Sequence, residues 1–247
     1  MSTLSDEMEF QQRNEAKIES MRDSERLNQR SREWLFESIP FEYSYHFTWL
    51  GRPIIQYPQD MVAIQELIWT HTPDLVVEMG IARGGSLIFS ASIQHLLNGN
   101  GRVLGIDIDI REHNRKEIEN HPMAHRIDMI QGSSIDPAIV AEVLRRAEGK
   151  KCLVLLDSMH THEHVLAELL AYSPLVRKGG HLVVFDTCIE DFPKGHFKDR
   201  PWDKGNSPKT AVREFLRRND RFEIDRALEA KLQITVAPEG YLRCIKD

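Results

Sequence analysis

Residues 75–86, LVVEMGIARGGS, join a short apolar run to a glycine-rich turn. The run LVVEMG (75–80) is nearly continuous in apolar side chains and ends at a glycine, which is typical of a strand buried on both faces. The segment after the turn, SLIFSASIQHLL (86–97), has the composition of a helix. A buried strand, a glycine turn and a helix indicate the first half of a parallel βαβ unit.

The same alternation continues along the chain. Further strands are predicted at 102–109, 126–132, 151–158 and 181–187, and helices at 59–71, 112–120, 136–147 and 161–172. Buried strands that alternate with helices predict right-handed crossovers and an α/β fold with a doubly wound parallel sheet. After helix 208–219, the segments FEIDRALE (222–229) and LQITVAPEGYLRCI (232–245) predict a hairpin without another crossover helix.

The residues before this alternation differ in composition. Residues 1–39 are rich in charge and in good helix formers, and their apolar residues are sparse, so we expect a helical extension of one or two exposed helices. Such an extension is either solvated or an arm that packs on another subunit, which makes a homo-oligomer plausible. Residues 40–58 combine aromatic residues with Pro and Gly and predict a packed loop at the start of a single domain, 40–247.

Composition narrows the class of protein. The 247 residues include 32 Lys and Arg against 38 Asp and Glu, a net charge of -6, which argues against a nucleic-acid or anionic-membrane binder. No apolar run is long enough to span a bilayer, and the first residues show no secretory signal. Three widely spaced cysteines without CxxC fit a reducing cytoplasm. We therefore expect a cytoplasmic protein that binds a small molecule.

Polar residues follow every predicted parallel strand. In open α/β sheets ligands bind outside the carboxyl ends of the strands, so these residues are the candidates for chemistry. The strand ends carry Glu78, Asp107, Ser134, Asp157 and Asp186.

The first turn, GIARGG (80–85), has only part of the GxGxxG spacing of a dinucleotide site. A carboxylate at Glu78 disfavours a diphosphate and suits a cationic, phosphate-free ligand such as S-adenosylmethionine. Asp107 is then placed to accept hydrogen bonds from ribose hydroxyls. The alternative is that the glycines, including Gly80 and Gly84, only permit tight packing of helix on strand.

A second group of residues points to a metal. Asp157 and Asp186 end neighbouring strands, so their carboxylates can converge on Mg²⁺, and Thr187 could add a weaker oxygen ligand. His160 begins the next helix, where it could act as general base for an acceptor hydroxyl. The alternatives are that the two acids cap helices or form surface ion pairs, and that the histidine is structural.

The run HTHEH (160–164) invites comparison with a zinc site. It lacks the HExxH order, and no cysteine or further histidine is near in sequence. His162 and His164 are therefore interpreted as exposed or cap-adjacent helix residues.

Together these motifs resemble those of class I S-adenosylmethionine-dependent methyltransferases, and more closely the cephalosporin hydroxylase-like group that includes rhamnosyl O-methyltransferases. The resemblance covers most of residues 40–247 and is carried by EMGIARGGSLIFSAS (78–92), GIDIDIREHNRKEIENHP (105–122), QGSSID (131–136), LLDSMHTHEHVLAEL (155–169), VVFDTCIED (183–191), RPWDKGNSPKTAVREFL (200–216) and ITVAPEGYL (234–242). A more distant similarity runs to catechol-type O-methyltransferases.

The resemblance implies a Rossmann-like sheet of seven strands in the order 3-2-1-4-5-7-6, with strand seven antiparallel. It implies Mg²⁺ at Asp157 and Asp186, and a base at His160. Related metal-dependent sugar enzymes carry an acidic pair at the end of strand five, whereas here Phe185 precedes Asp186, so the third ligand would be Thr187 or a water. The implied cofactor-binding residues are Glu78, Gly80, Arg83, Gly84, Ser86, Asp107, Ser134 and Asp157.

These expectations combine into an S-adenosylmethionine-dependent, Mg²⁺-assisted O-methyltransferase acting on a hydroxyl of a sugar or glycosylated natural product. The loop 188–207 resembles a lid, in which Lys194, His196, Arg200 and Trp202 could contact the acceptor; the alternative is a plain surface loop. Two alternatives remain open: an oxidative tailoring protein of the cephalosporin type that works with a partner, and a methyltransferase-like protein that binds without turnover.

Overall fold

The computed structural model describes residues 3–247, with side chains from residue 5 onward. Its helices are α1 (Thr3–Arg22), α2 (Glu25–Ser38), α3 (Pro58–His71), α4 (Gly85–Leu96), α5 (Glu112–Glu119), α6 (Pro137–Ala147), α7 (His162–Tyr172), α8 (Pro208–Arg218) and α9 (Arg226–Leu232). Its strands are β1 (Phe47–Trp49), β2 (Arg52–Ile54), β3 (Leu75–Met79), β4 (Arg102–Asp107), β5 (Ile127–Gln131), β6 (Cys152–Leu156), β7 (His181–Val184), β8 (Phe222–Ile224) and β9 (Tyr241–Cys244). No helix within this described part is long and apolar enough to cross a membrane.

A seven-stranded sheet forms the centre of the molecule, in the order β5-β4-β3-β6-β7-β9-β8. Strands β3 to β7 run parallel, and β9 is antiparallel to both of its neighbours. Numbered from β3, this is the expected order 3-2-1-4-5-7-6, and the predicted α/β fold is confirmed. Strands β3 and β6 are buried along their whole length because helices cover both faces of the sheet.

The register of the central strands brings their carboxyl ends level. Met79 lies opposite Ile106 on one side and Leu156 on the other, so the residues that follow all three strands emerge at one edge. From β3 the next strands, β4 and β5, are added on one side, whereas β6 and β7 are added on the other. This reversal of strand order between β3 and β6 opens a crevice at the carboxyl edge. Gly80 stands there with φ +96°, and a Cβ on it would lie 2.0 Å from the carbonyl oxygen of Asp157. Only glycine allows β3 and β6 to approach this closely.

The C-terminal segment differs from the predicted hairpin. Strands β8 and β9 pair antiparallel as expected, but helix α9 lies between them. Asp225 caps this helix by accepting a hydrogen bond from the amide of Leu228 at 3.0 Å. The helix-forming residues after this cap outweigh the extended pattern, so the two predicted segments pair as expected but their connection holds a short helix, which is not a crossover helix because the strands are antiparallel.

The N-terminal segments also pack more closely than their composition indicated. Two helices occupy the extension, and Leu35 on α2 is only 4% exposed within the main core, because the core surface supplies the apolar partners that the extension itself lacks. Residues 40–58 are not all loop, since β1 and β2 form a short antiparallel hairpin. Leu50 and Gly51 both have positive φ at its turn, which suits the right-handed twist of paired strands.

Candidate functional site

A cavity of about 610 Å³ opens at the carboxyl edge of the sheet. Its floor is formed by residues that follow the central strands: Gly80, Asp107, Ser134 and Asp157. The start of α7, the segment 186–202 and the N-terminal segment 39–57 form its walls. This volume is within the range of small-molecule and cofactor sites.

Three side chains in this cavity form a candidate metal centre. Asp157, His160 and Asp186 each offer a ligand atom, and these atoms lie within 4.8 Å of one another. The Nε2 atom of His160 is 3.1 Å from Oδ2 of Asp186. Asp186 follows β7 in the left-handed region, with φ +54°, a conformation that costs energy for a non-glycine residue and clusters at functional sites.

The electrostatics of this cluster suit a cation. Burial raises the pKa of Asp157 well above its usual value, and the nearby charge of Asp186 raises it further. The amide Nε2 of Gln56 donates a hydrogen bond to Oδ2 of Asp157 at 3.1 Å. Two neighbouring carboxylates that repel each other are stabilised when a divalent cation binds between them, so the residues present fit such an ion.

The third ligand anticipated from the sequence is not brought to this cluster. Thr187 is fully buried, and its Oγ1 donates a hydrogen bond to the carbonyl of Pro238 at 2.7 Å. Phe185 is buried behind Asp186 and borders a second, smaller cavity. The third side chain beside the two carboxylates is His160, because residues 185 and 187 turn away from the cavity that Asp186 lines.

The glycine turn after β3 is closed by a carboxylate. Oδ2 of Asp107 accepts hydrogen bonds from the amides of Ile81 at 2.8 Å and Ala82 at 3.3 Å, and Oδ1 accepts one from Asp109 at 3.0 Å. In a dinucleotide site the amides of this turn would bind a pyrophosphate. Here they are already paired with a negative side chain, so the turn does not suit a diphosphate.

The other residues predicted around this turn occupy different places. Glu78 is 2% exposed, accepts a hydrogen bond from Ser86 and lines the smaller cavity with it rather than the larger one. Burial raises the pKa of Glu78 to about 7. Arg83 is exposed and lies outside both cavities. Gly84 packs against α5, where a Cβ would lie 2.4 Å from Ile118, which is the packing alternative considered for this glycine.

A family model described as Rhamnosyl O-methyltransferase/CmcI matches residues 41–245. The chain belongs to this family. A protein named rhamnosyl O-methyltransferase from Mycobacterium leprae is 32% identical over 202 residues, covering 79% of this chain and 82% of that protein. Another of the same name, from Mycobacterium tuberculosis, is 32% identical over 205 residues, covering 79% and 77%. The resemblance inferred from the motifs and the expected class of enzyme, an O-methyltransferase, are confirmed at the level of the family.

Solved structures support the fold. An apo structure of CmcI superposes with a TM-score of 0.56 at 16% identity and covers 82% of this chain and 78% of its own. A cofactor-bound structure of Rv0187 has a TM-score of 0.54 at 15% identity and covers 86% and 90%. The family match begins at residue 41, so α1 and α2 lie outside it.

The sequence did not predict a buried hydrogen-bond network that centres on Glu168 of α7. Ser134 donates to Oε1 of Glu168 at 2.5 Å, Ser158 donates to the same oxygen at 2.6 Å, and Nε2 of His164 lies 3.0 Å from Ser134. His164 also lines the cavity; it lies in the first turn of α7, so it is cap-adjacent as predicted but not exposed. Its i,i+4 spacing to Glu168 was the signal that could have found it.

His162 has a different role, because it joins two helices. Its Nδ1 lies 2.8 Å from Oγ1 of Thr210, and its Nε2 lies 3.2 Å from a carboxylate oxygen of Glu214 on α8.

Aromatic residues close the cavity from two directions. Trp202 packs edge-to-face against His160 with ring centroids 4.7 Å apart, and Arg200 lies over the same indole. Lys194 and His196, proposed with them as acceptor contacts, do not line the cavity. From the N-terminal side, Tyr43 contributes to the opposite wall and is held by an edge-to-face contact with Trp34 of α2 at 5.0 Å.

Proposed function

We propose that this protein is an S-adenosylmethionine-dependent, Mg²⁺-assisted O-methyltransferase that acts on a hydroxyl of a sugar or sugar-bearing natural product. The observation that carries the proposal is the convergence of Asp157, His160 and Asp186 on the wall of a cavity that Gly80 and Asp107 also line. A metal site and a cofactor turn then face one space, which is what transfer of a group to a metal-activated hydroxyl requires.

S-adenosylmethionine is the cofactor best supported by the turn after β3. Its amides are paired with Asp107, so the turn offers no phosphate cradle, while the carboxylate of Asp107, which lines the main cavity, suits a cationic ligand with ribose hydroxyls. When bound, this cofactor supplies an electrophilic methyl group. CmcI, which shares the fold, has been solved with S-adenosylhomocysteine and with Mg and S-adenosylmethionine.

Asp157 and Asp186 would hold the cation, whose positive charge favours ionisation of an acceptor hydroxyl. His160 is the proposed base: its imidazole accepts the hydroxyl proton, and the carboxylate of Asp186, whose Oδ2 lies 3.1 Å from Nε2, stabilises the positive charge on the ring. Trp202 restricts the rotation of this imidazole through its edge-to-face contact. The aromatic walls exclude water from the place where the acceptor oxygen becomes negative.

A sugar-bearing acceptor fits the walls and the family. Tyr43, Tyr45 and Trp202 present aromatic surface together with polar atoms around the cavity, a combination suited to an amphipathic ring with hydroxyl groups. Relatives at 32% identity are named for a rhamnosyl acceptor.

Calorimetric titration tests the cofactor and the metal. The metal-free protein is titrated with S-adenosylhomocysteine and with NAD⁺, then again with Mg²⁺ present. We expect binding of the first, none of the dinucleotide, and Mg²⁺ binding that is lost in Asp186→Ala. Failure of S-adenosylhomocysteine to bind with or without Mg²⁺ would exclude the methyltransferase, and turnover supported only by NAD⁺ would favour the oxidative alternative.

Turnover with a methylated-product assay tests the base. His160→Ala is expected to lower kcat by about 100-fold or more at saturating cofactor, because the hydroxyl proton loses its acceptor. Lys194→Ala, an exposed change in the neighbouring loop, is the matched control and is expected to leave kcat unchanged. Equal rates for His160→Ala and the unmodified protein would remove this role.

A further inference from the structure

Behind the main cavity lies a second one of about 20 Å³, between β3, α4 and the segment after β2. Its polar lining consists of Gln56, Asp60, Glu78, Ser86 and Ser90. Gln56 is the only one of these side chains that also lines the main cavity, so its amide stands between the two spaces.

Three buried polar atoms around this small cavity have no hydrogen-bond partner among the described residues: Oε1 of Gln56, Oε2 of Glu78 and Oγ of Ser90. These three residues are 9%, 2% and 1% exposed. A buried polar atom without a partner costs about 1–3 kcal/mol, so three such atoms on residues that line one cavity point to a shared ligand.

The remaining atoms of these residues are already paired. The other carboxylate oxygen of Glu78 accepts from Ser86, and Nε2 of Gln56 donates to Oδ2 of Asp157. Asp60 is satisfied by Thr235, Val236 and Tyr241, and Phe185 adds an apolar wall. The cavity volume suits a single water molecule, which needs roughly 10–15 Å³ and two to four polar partners.

We propose that one water molecule binds between Gln56, Glu78 and Ser90, and that Gln56 is a positioning residue that links the buried carboxylate of Glu78 to the metal carboxylate Asp157. The water donates one hydrogen to Oε2 of Glu78 and the other to Oε1 of Gln56, and it accepts the hydroxyl hydrogen of Ser90. Every polar atom of the group then has a partner. The metal-binding role given to Asp157 rests on the proposed function.

The bound water determines which end of the Gln56 amide faces the metal site. With Oε1 accepting from the water, the NH₂ group must point at Asp157, where it supports the carboxylate orientation needed for a cation. Without the water, the amide could rotate by half a turn and place its oxygen against that carboxylate, which is repulsive.

Mg²⁺ binding measured by calorimetry tests this link. Gln56→Met is nearly isosteric and is expected to weaken Mg²⁺ binding about tenfold, since it removes a hydrogen bond to a charged group. Ser90→Ala touches neither Asp157 nor the main cavity, yet is expected to weaken Mg²⁺ binding about threefold through the lost water. The variant with both changes should bind Mg²⁺ no more weakly than Gln56→Met alone, because Gln56→Met has already removed the water.

The matched control is Gln59→Met, a glutamine on α3 that lines neither cavity, and its Mg²⁺ affinity should stay within about twofold of the unmodified protein. Thermal unfolding of all variants separates this effect from loss of fold. Unchanged Mg²⁺ affinity in Ser90→Ala, or additive losses in the double variant, would overturn the link.

A high-resolution crystal structure with S-adenosylhomocysteine bound decides the occupant. A water peak within hydrogen-bond distance of all three atoms supports the proposal. A monovalent cation or the amino group of the cofactor in that position overturns it. If the unmodified protein binds neither Mg²⁺ nor S-adenosylhomocysteine, the proposed function fails, whereas the water position is still decided by a crystal structure of the protein alone.

Discussion

At the scale of one residue, Asp186 shows that the geometry of this site lowers the stability of the folded protein. It is held at φ +54° beside Asp157, and the charge of Asp186 contributes to the raised pKa of Asp157. Neither the backbone conformation nor the proximity of two carboxylates stabilises the protein without a ligand. Such residues persist where binding or catalysis requires them.

Asp186→Asn is expected to raise the melting temperature of the metal-free protein by roughly 2–4 °C, because about 1 kcal/mol of repulsion is removed and asparagine tolerates positive φ. The same change should abolish measurable Mg²⁺ binding. Differential scanning fluorimetry with and without Mg²⁺ checks both effects. A variant that Mg²⁺ still stabilises as strongly as the unmodified protein would contradict the assignment of this ligand.

The raised pKa of Glu78 leads us to expect that the free energy of unfolding depends on pH. Its pKa rises from 4.5 in the unfolded chain to about 7 in the folded protein because the carboxyl group is buried. Between these values the unfolded state binds fewer protons than the folded state, so this group's contribution is fully present below pH 4.5 and is lost as pH rises through about 7.

Glu78→Gln removes this dependence. Its free energy of unfolding, relative to the unmodified protein, should increase by roughly 2–3 kcal/mol between pH 4 and pH 8. Urea unfolding across that range measures the difference. Glu163→Gln, a change at an exposed glutamate, is the control, and a flat difference for Glu78→Gln would refute the burial argument.

At the scale of elements, helix α2 packs against the residues that form the cavity wall and supports them. Leu35 enters the main core, Trp34 contacts Tyr43 and Tyr57, and the ring of Phe36 lies 4.2 Å from that of Phe192. One helix thus supports both the N-terminal segment and the 188–207 loop. The family match begins at residue 41 and does not include this helix.

Leu35→Ala is expected to destabilise the protein by about 2–4 kcal/mol, since it leaves a cavity in the core beside the aromatic wall. Leu27→Ala on the same helix is the matched control: this leucine is 38% exposed and should cost less than about 1 kcal/mol. Chemical denaturation gives both values. Equal effects would mean that α2 contributes to stability only as an exposed helix.

At the scale of the whole molecule, the acidic residues at the strand ends line two separate cavities at one edge of the sheet. The larger one receives Asp107, Asp157 and Asp186, and the smaller one receives Glu78. Because strands β3, β4 and β6 end level, the cofactor and the acceptor of the proposed function would meet at this edge without movement of the core. Specificity is then set by the loops and the N-terminal segment.

The homo-oligomer expected from residues 1–39 stays a prediction. Helix α1 exposes two large apolar side chains, Met8 at 55% and Phe10 at 53%, among mostly polar and charged residues. Sedimentation velocity of the full chain is expected to give a dimer or larger species that dissociates when residues 1–22 are removed. A monomer at micromolar concentration would mean that the extension is solvated and packs only on its own chain.

The sequence by itself determined the order of strands and helices and the acids at the strand ends. Both are local properties: a run such as LVVEM is apolar on every side, and the glycine that follows is needed for close approach of backbones. The α/β class and the strand order followed from this alternation and from the family motifs. Local patterns failed at α9, where a capping aspartate and helix formers prevailed over an extended pattern.

Only the tertiary structure decided where the side chains of those strand ends point. It turned Thr187 away from the metal site, brought His160 beside Asp186, and placed Glu78 in a separate cavity. It also brought Gln56, about a hundred residues earlier in the chain, against Asp157. Such contacts depend on packing between distant segments, and no local periodicity records them, because the energy of a buried polar group is set by whichever partner reaches it in the folded chain.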